Sequence, residues 1–269
     1  MELLKEQGGR ARFLAGGTSL ILAPSDRQDV LIDLSRLGLD YINEQADGSH
    51  LGAMTTCAAL RRYLSHQPPS HLAEAAASVG SRTLQNHVTV GGNCVMAYSW
   101  SDLPVALLCA EAVFVLQGQG QTQRQLSADQ FFAAHPRRIL GKEELLREVV
   151  VPRPAPHTGS AYLKIGRNAT DQALASVAAE ICLEGETVKS ARLVVGAVRG
   201  LPQMLGGTTL RMQGQKPEPS ALALAARQAA EEANISSDFR ASMDYRRQLV
   251  SSLVEDALQR AVNRAEGRQ

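Results

Sequence analysis

Two pairs of adjacent glycines are the residues of this sequence whose types and spacing could do chemistry. The first pair lies in Leu14-Ala15-Gly16-Gly17-Thr18-Ser19-Leu20 and the second in Thr89-Val90-Gly91-Gly92-Asn93. Consecutive glycines allow positive φ angles, so several backbone N–H groups can point the same way and bind anionic oxygens. Neighbouring hydroxyl and amide side chains could add hydrogen bonds. Two such turns in one domain predict a site that grips both phosphates of a dinucleotide.

The specificity of this signal lies in the pair of segments, since one glycine pair alone is typical of an ordinary β-turn. The presence of two strengthens the phosphate-binding interpretation without deciding it. Neither segment matches GxGxxG followed by a helix, so a Rossmann site is not supported. GxxxxGK[ST] is absent, which excludes a P-loop.

Short strands and helices must position these segments. Strands are predicted at residues 12–15, 29–34, 50–54, 112–116, 145–151, 173–183 and 191–198, and helices at residues 1–7, 57–66, 70–80, 103–110 and 220–233. A last helix carries apolar residues at helical spacing from Leu249 to Ala261. The segment of three prolines between residues 152 and 159 predicts a domain boundary.

The composition is that of a globular protein, with 269 residues, 44% of them hydrophobic, and a net charge of +1. This charge argues against a nucleic-acid or membrane-surface binder. The sequence has no CxxC pair among its four cysteines, which are Cys57, Cys94, Cys109 and Cys182. Neither a metal site within the chain nor a disulfide framework is therefore expected. The N-terminus has no apolar signal core, and no apolar run could span a bilayer. A soluble, cytoplasmic protein is expected.

A set of ordered motifs resembles one known family. The segments are LAGGTSL (14–20), DVLIDLSRL (29–37), LGAMTTCAAL (51–60), TVGGN (89–93) and SDLP (101–104), followed by YLKIGRNATDQALASVAAEI (162–181) and DFRASMDYRRQLV (238–250). In this order they resemble the FAD-binding medium subunit of molybdenum hydroxylases, the family of xanthine dehydrogenase and carbon monoxide dehydrogenase. The resemblance covers nearly the whole chain, and the ordered set is specific although each motif alone is not.

The resemblance implies an α+β fold. A two-lobed FAD-binding domain of the vanillyl-alcohol-oxidase type would occupy residues 1–152, with lobes at about 1–50 and 51–152. A C-terminal domain of the carbon monoxide dehydrogenase flavoprotein type would occupy residues 158–269. Family members usually open with an additional strand and the first half of the helix that Met1 enters midway.

The resemblance also implies roles for individual residues. Ala15 to Ser19 and Thr89 to Asn93 would hold the FAD pyrophosphate, Asp102 would bind ribose or ribityl hydroxyls, and Leu146 and Lys164 would lie beside the isoalloxazine ring. Thr55 and Thr56 would line the cofactor groove. The full set of expected cofactor residues is Leu14, Ala15, Gly16, Gly17, Thr18, Ser19, Leu20, Thr55, Thr56, Thr89, Val90, Gly91, Gly92, Asn93, Asp102, Leu146 and Lys164.

Plainer interpretations of some of these residues stay open. Asp102 could cap the helix that contains Pro104, Lys164 could be a solvated strand lysine, and Leu146 could be a core residue. Tyr98 and Trp100 could line the flavin edge or a subunit interface, although buried packing is the commoner role of aromatic residues. Cys94 is expected to be a buried, inert thiol.

The sequence departs from the family pattern at three places. Gln85-Asn86 replaces the usual Arg-Asn, Ala97-Tyr98-Ser99-Trp100 replaces the usual Ala-Ser-Pro before the aspartate, and Asn168 replaces a second arginine. These departures concern the surroundings of the ring and the docking surface more than FAD binding itself.

The mechanism that the resemblance implies needs no acid–base pair, because flavin carries the redox chemistry. Electrons would come from a molybdenum-cofactor centre on a large partner subunit, through 2Fe–2S clusters on a small partner, and pass to NAD+, a quinone or oxygen. A cationic Lys164 near the ring would favour the reduced, anionic flavin.

Two other functions remain open. A self-sufficient flavin oxidoreductase of the same superfamily would need its own acid or base, for which His87 and Tyr98 are the nearby candidates. A cofactor-free assembly protein could have kept the fold and lost the flavin.

Overall fold

A computed structural model describes residues 2–7, 10–22 and 30–268. In chain order the elements are α1 (Glu2–Gln7), β1 (Ala11–Leu14), α2 (Thr18–Leu22), β2 (Val30–Asp33), β3 (Ile42–Gln45), β4 (Gly48–Gly52), α3 (Cys57–Leu64), α4 (His71–Ser78), α5 (Arg82–Gln85), α6 (Val90–Met96), α7 (Asp102–Cys109), β5 (Val113–Gln117), β6 (Gln123–Ser127), α8 (Ala128–Phe131), α9 (Pro136–Ile139), β7 (Leu145–Pro152), β8 (Thr158–Ile165), β9 (Ala175–Glu184), β10 (Thr187–Gly196), β11 (Gln203–Met204), α10 (Gly206–Met212), α11 (Pro219–Glu232) and α12 (Met243–Ala265).

The chain divides into two compact units, and neither is continuous in sequence. Unit 1 comprises residues 1–60, 81–97 and 111–153, and unit 2 comprises residues 61–80, 98–110 and 154–269. The chain therefore changes unit close to the predicted boundary at residues 152–159, but two earlier segments, which contain α4 and α7, also belong to unit 2.

Unit 1 contains a parallel pair, β1 with β2, and a five-stranded antiparallel sheet in the order β3-β4-β7-β5-β6. The predicted strand at residues 29–34 corresponds to β2, although Asp29 lies outside the described residues. In β7 the valine run is paired by β4 and β5, and Val149 is fully buried on one face of the sheet. The rings of Phe114 and Phe131 stack with their centroids 4.0 Å apart and anchor α8 on this sheet. Removing a buried ring of this kind costs roughly 3–5 kcal/mol.

Unit 2 contains an antiparallel sheet in the order β11-β10-β9-β8, with helices packed on it. The helix predicted from apolar spacing is α12, which buries Val250, Val254, Leu258 and Ala261 against β8 and β9. Close approach requires glycine in β8, because a Cβ on Gly159 would lie 2.1 Å from the Ala261 carbonyl oxygen.

Two helices from earlier in the chain also pack on the sheet of unit 2. The helix α4 contacts β8, and α7 contacts β9 and β10. The Arg192 guanidinium on β10 donates to the carbonyls of Leu108 and Cys109, both at 3.0 Å, and so satisfies the end of α7. These contacts make both helices part of the architecture of unit 2.

Candidate functional site

The first glycine segment follows β1 and leads directly into α2, all within unit 1. Gly17 has a φ of 75°, the left-handed conformation that glycine adopts without strain. Gly16 is required for a different reason, since a Cβ at this position would lie 1.5 Å from the His87 carbonyl oxygen. Both glycines therefore have a physical role in the turn.

Four successive amides make this segment a candidate anion site. The N–H groups of Gly16, Gly17, Thr18 and Ser19 have no hydrogen-bond partner among the residues that the structure describes, whereas those of Leu20 and Ile21 donate to the Gly17 carbonyl oxygen at 3.0 and 3.4 Å. Unpaired amides at a turn and a helix start attract negatively charged oxygens. The geometry thus agrees with the chemistry predicted for residues 15–19.

The second glycine segment is not the turn that the sequence predicts. Thr89 is instead the N-cap of α6, and Gly91 and Gly92 lie in the first turn of this helix with negative φ angles. The space around them explains the glycines. A Cβ on Gly91 would lie 2.7 Å from the Ala53 Cβ, and one on Gly92 would lie 2.7 Å from Thr89 Oγ1. The prediction of a positive-φ cradle is wrong here because close packing requires these glycines.

Unlike those of the first segment, the amides of the second segment donate hydrogen bonds within the fold. Val90 N–H donates to the Thr55 carbonyl oxygen and Gly91 N–H to that of Ala53, both at 2.8 Å. Gly92 N–H donates to Thr89 Oγ1 at 3.0 Å, and Asn93 N–H donates to the Thr89 carbonyl oxygen at 2.9 Å. What this segment could still offer a ligand is the Asn93 side chain, because its Oδ1 is buried without a hydrogen-bond partner among the described residues.

The two segments lie side by side in unit 1. Gly16 packs on the backbone of His87, and a Cβ on Gly92 would lie 3.9 Å from the Ala15 Cβ. A groove of about 560 Å³ opens beside the first segment and is lined by Leu14, Gly16, Gly17, Thr18, Leu20, Ile21, Ser81, Thr83, Leu84 and His87. Five of the predicted residues line this groove, and none of residues 89–93 does.

Residues that the sequence does not single out for the groove come from α5 and its flanks. Ser81 caps α5 by accepting from Leu84 N–H at 3.2 Å. A serine at this position is a known helix start signal and could have indicated the helix. No local pattern reveals that His87 meets Gly16, since this contact is made by folding. Another cleft in unit 1, of about 580 Å³, surrounds the ion pair of Arg124 and Glu144 and contains none of the predicted residues.

Three predicted cofactor residues make structural contacts within unit 1: Thr55, Thr56 and Leu146. Thr55 is 1% exposed and its hydroxyl donates to the Tyr41 carbonyl oxygen at 2.8 Å. Thr56 Oγ1 accepts from Ala59 N–H at 3.1 Å and so caps α3. Leu146 is 5% exposed in β7, opposite Leu116. All three have structural contacts, and their proximity to a cofactor stays a prediction.

Asp102 and Lys164 meet in unit 2. Lys164 Nζ lies 3.1 Å from Asp102 Oδ1 and donates to the Ser78 carbonyl oxygen at 2.6 Å. Tyr162 Oη donates to the same carboxylate at 2.6 Å. The side chains of Asp102 and Lys164 are only 7% and 11% exposed, so this lysine is not solvated. Asp102 is the first residue of α7, and the capping position belongs to Ser101, whose side chain makes no capping bond.

The electrostatics of this pair follow from burial. Desolvation raises the pKa of Asp102 above its ordinary value, while the Lys164 charge and the Tyr162 hydrogen bond oppose that rise. Burial and the neighbouring carboxylate raise the pKa of Tyr162 well above its ordinary value, so this hydroxyl stays a donor. The positive charge of Lys164 is therefore balanced by a carboxylate, which the sequence alone does not show.

In the part of the chain that the structure describes, no three His, Cys, Asp or Glu side chains come together in a way that could hold a metal ion. No helix in the same part of the chain has the length and apolar character needed to cross a membrane.

Comparison with known proteins identifies the relatives of this chain. Residues 1–154 match the family described as the FAD binding domain in molybdopterin dehydrogenase, and residues 160–261 match the CO dehydrogenase flavoprotein C-terminal domain. The carbon monoxide dehydrogenase medium chain of Hydrogenophaga pseudoflava is 31% identical over 96% of this chain and 92% of its own length. The glyceraldehyde dehydrogenase medium chain of Sulfolobus acidocaldarius is 30% identical over 94% and 91%.

The fold gives the same result. A solved carbon monoxide dehydrogenase structure from Hydrogenophaga pseudoflava superimposes with a TM-score of 0.90 at 30% identity, covering 98% of this chain and 93% of that chain. The match extends over both units and confirms the predicted fold class, an FAD-binding domain followed by an α+β C-terminal domain.

Proposed function

Because this chain belongs to the family of FAD-binding medium subunits of molybdenum hydroxylases, we propose that it passes electrons from the iron–sulfur clusters of a small partner subunit to an external acceptor. FAD is the cofactor of this family, and the chain is a subunit of an oxidoreductase. The acceptor would be NAD+, a quinone or oxygen.

The observation that carries the proposal is the row of four amides from Gly16 to Ser19, which have no hydrogen-bond partner within the described part of the chain. A diphosphate needs several hydrogen-bond donors that are already oriented, and this row supplies them at the start of α2. The hydroxyls of Thr18 and Ser19 are additional donors on the same turn. These residues fit the pyrophosphate of FAD.

The second segment would contribute differently from the first. Its amides are engaged within the fold, so we assign it the role of a rigid wall that positions the first segment. The Asn93 side chain is the group there with unused hydrogen-bonding capacity, since Oδ1 is buried and unpaired among the described residues. We therefore propose that Asn93 faces a donor of the cofactor.

The apolar walls of the groove would support the same function. Leu14, Leu20 and Leu84 line it together with the glycine turn. Apolar side chains around charged hydrogen bonds exclude water, which strengthens the attraction between amides and phosphate oxygens. Ile21 is 81% exposed at the edge of the groove and would be covered by a bound nucleotide.

In unit 2, the buried pair of Asp102 and Lys164 is proposed to serve the flavin side of the cofactor, as the family resemblance implies. Tyr162 and the Ser78 carbonyl oxygen fix both side chains. Such a preorganised pair could accept a hydroxyl hydrogen at Asp102 without reorganising its surroundings. When bound, FAD supplies the ability to exchange one or two electrons, and the chain supplies binding and orientation.

The names of the relatives support the proposal that this chain works with partner subunits. Related chains are medium chains or subunits of dehydrogenases, which implies complexes with other subunits. A large molybdenum-cofactor subunit and a small 2Fe–2S subunit are the partners we propose, with the substrate chosen by the large one.

The test is to produce the chain together with the proteins encoded beside it and to record visible spectra without oxygen. We expect oxidised-flavin bands and iron–sulfur absorbance, with about one FAD released per chain on denaturation. Substrate should bleach the flavin only when all subunits are present. Protein that stays colourless after FAD reconstitution would support a cofactor-free assembly role instead, and turnover by the isolated chain would support a self-sufficient oxidoreductase.

A further inference from the structure

A tight turn in unit 2 holds an aromatic side chain out into solvent. The turn runs from Asp238 to Ala241, and Phe239 at its tip is 92% exposed. Asp238 closes the turn, because its Oδ1 accepts from Arg240 N–H at 2.8 Å and from Ala241 N–H at 3.3 Å. The neighbouring Arg246 side chain is 2% exposed and places its guanidinium 2.7 Å from Asp238. The backbone below Phe239 is thus rigid.

Phe239 is the outermost member of a stack of four side chains. The Arg240 guanidinium lies 5.9 Å from the Phe239 ring centre and 5.4 Å from that of Trp100. The Trp100 ring is parallel to that of Tyr98, with their centroids 4.9 Å apart. Arg240 is fixed in the stack because Nε and Nη2 donate to Asp238 Oδ2 at 3.0 and 2.7 Å. We call Tyr98, Trp100, Phe239 and Arg240 the aromatic stack.

The exposure of Phe239 is not explained by the fold. A ring in water gains nothing from burial, and a turn held by two arginines could carry a polar residue at this position. Aromatic and arginine side chains that are held rigid before binding are the residues that dominate protein–protein interfaces. Met243 and Tyr245, which follow in the first turn of α12, are also exposed, at 39% and 47%. This part of unit 2 has the composition of an interface.

The position of the stack in unit 2 indicates the partner. Trp100 precedes Asp102 by two residues, and Arg240 Nη1 donates to the Ala173 carbonyl oxygen at 3.3 Å, at the end of the β8–β9 hairpin that carries Lys164. The stack therefore borders the Asp102–Lys164 pair along both chain segments. If that pair serves the flavin, a protein that donates electrons to the flavin must approach this end of unit 2.

We propose that the aromatic stack is the docking site of the iron–sulfur partner subunit, with Phe239 inserted into an apolar pocket of that subunit. This inference rests on the proposed function.

The experiment compares three variants of this chain, two of which form a matched pair. Phe239→Asp places a charge at the tip of the stack, and Leu210→Asp does the same to a 70% exposed leucine on α10. Binding of the iron–sulfur subunit to the FAD-loaded chain is measured by calorimetry. We expect at least a tenfold weaker affinity for Phe239→Asp, an intermediate loss for Phe239→Leu, and an unchanged affinity for Leu210→Asp. FAD content and thermal stability should equal those of the unaltered chain in all three.

Some results would overturn the proposal. Unchanged affinity in Phe239→Asp would do so, as would a loss confined to the large subunit or to self-association of this chain. Failure of the proposed function is distinguishable, because the unaltered chain would then lack FAD or would not bind the iron–sulfur subunit at all.

Discussion

Gly16 packs directly on the backbone of His87, so closely that a Cβ on Gly16 would lie 1.5 Å from the His87 carbonyl oxygen. This contact joins the first glycine segment to the part of the chain that leads into α6. It also positions the groove, since both residues line it.

Replacing Gly16 by alanine should therefore displace the turn from Gly16 to Ser19 and abolish FAD binding. We expect a loss of FAD affinity of at least about a hundredfold, or roughly 3 kcal/mol, because the oriented amides no longer converge on one anion. Fluorescence titration of the deflavinated chain measures this. Gly120→Ala is the matched control: Gly120 has a φ of 63° and open space around it, so it should lose only about 1 kcal/mol of stability and bind FAD normally. Normal FAD affinity in Gly16→Ala would contradict the role of the turn.

Thr89→Ala should destabilise unit 1 by about 1 kcal/mol, because Thr89 Oγ1 accepts from Gly92 N–H and caps α6. Thr89→Ser keeps the hydroxyl and should retain most of the stability. Urea unfolding followed by circular dichroism compares the two variants. Equal losses for alanine and serine would show that the methyl group, rather than the cap, is important.

The proposed position of Asp102 and Lys164 beside the flavin predicts opposite effects of their two charges on the flavin potential. Asp102→Asn leaves the lysine charge unopposed and should raise the potential, whereas Lys164→Met leaves a carboxylate and should lower it. Each shift should be on the order of 30 mV, which corresponds to about 1.4 kcal/mol for a two-electron couple. The double variant should lie near the unaltered protein. Potentiometric titration measures all four proteins, and shifts of the same sign in both single variants would argue against this account.

The folded state should lose stability as the pH falls, because the buried His71 resists protonation. Burial, with the charges of Arg264 and Arg192, lowers the pKa of this imidazole to about 4, so it is neutral when folded, and the Glu180 carboxylate 3.9 Å away does not offset this. The unfolded chain takes up the proton near the ordinary pKa of about 6.5, hence the stabilisation is complete above that pH and is lost as the pH falls towards 4.

The expected loss through His71 is up to about 3 kcal/mol across this window. Unfolding free energies measured between the two pH values should show the slope, and His71→Gln should remove most of it. A slope that is the same in His71→Gln would assign the pH dependence to other groups.

Sequence patterns predict most elements that have a buried apolar face. The spacing of Leu253 and Ala257 gives α12, and the valine run gives β7, because burial selects those residues. By contrast, β6 (Gln123–Ser127) is a polar edge strand whose exposed side chains leave no alternating pattern. Glycine is a poor helix former, so Gly91 and Gly92 indicate a turn, although both lie in the first turn of a helix, where Gly91 packs against Ala53 and Gly92 against Thr89.

The candidate site was predictable where it is local and not where it is made by folding. The turn at Gly16 and Gly17 lies within one stretch of sequence, so the pattern of residues predicts its anion chemistry. The pairing of Lys164 with Asp102, 62 positions apart, and the meeting of Gly16 with His87 depend on tertiary structure. No periodicity reveals such contacts. The family resemblance singled out Asp102 and Lys164 as expected cofactor residues, whereas nothing in the sequence pairs His87 with Gly16.

The discontinuous units have a consequence for how this protein is made. The chain passes between units five times, so the sheet of β8 to β11 receives α4 and α7 from segments translated long before it. During synthesis, the faces of α4 and α7 that contact this sheet have no sheet to pack on until residues 158–196 have been made. We infer that a fragment beginning near residue 154 would leave one face of its sheet bare and aggregate.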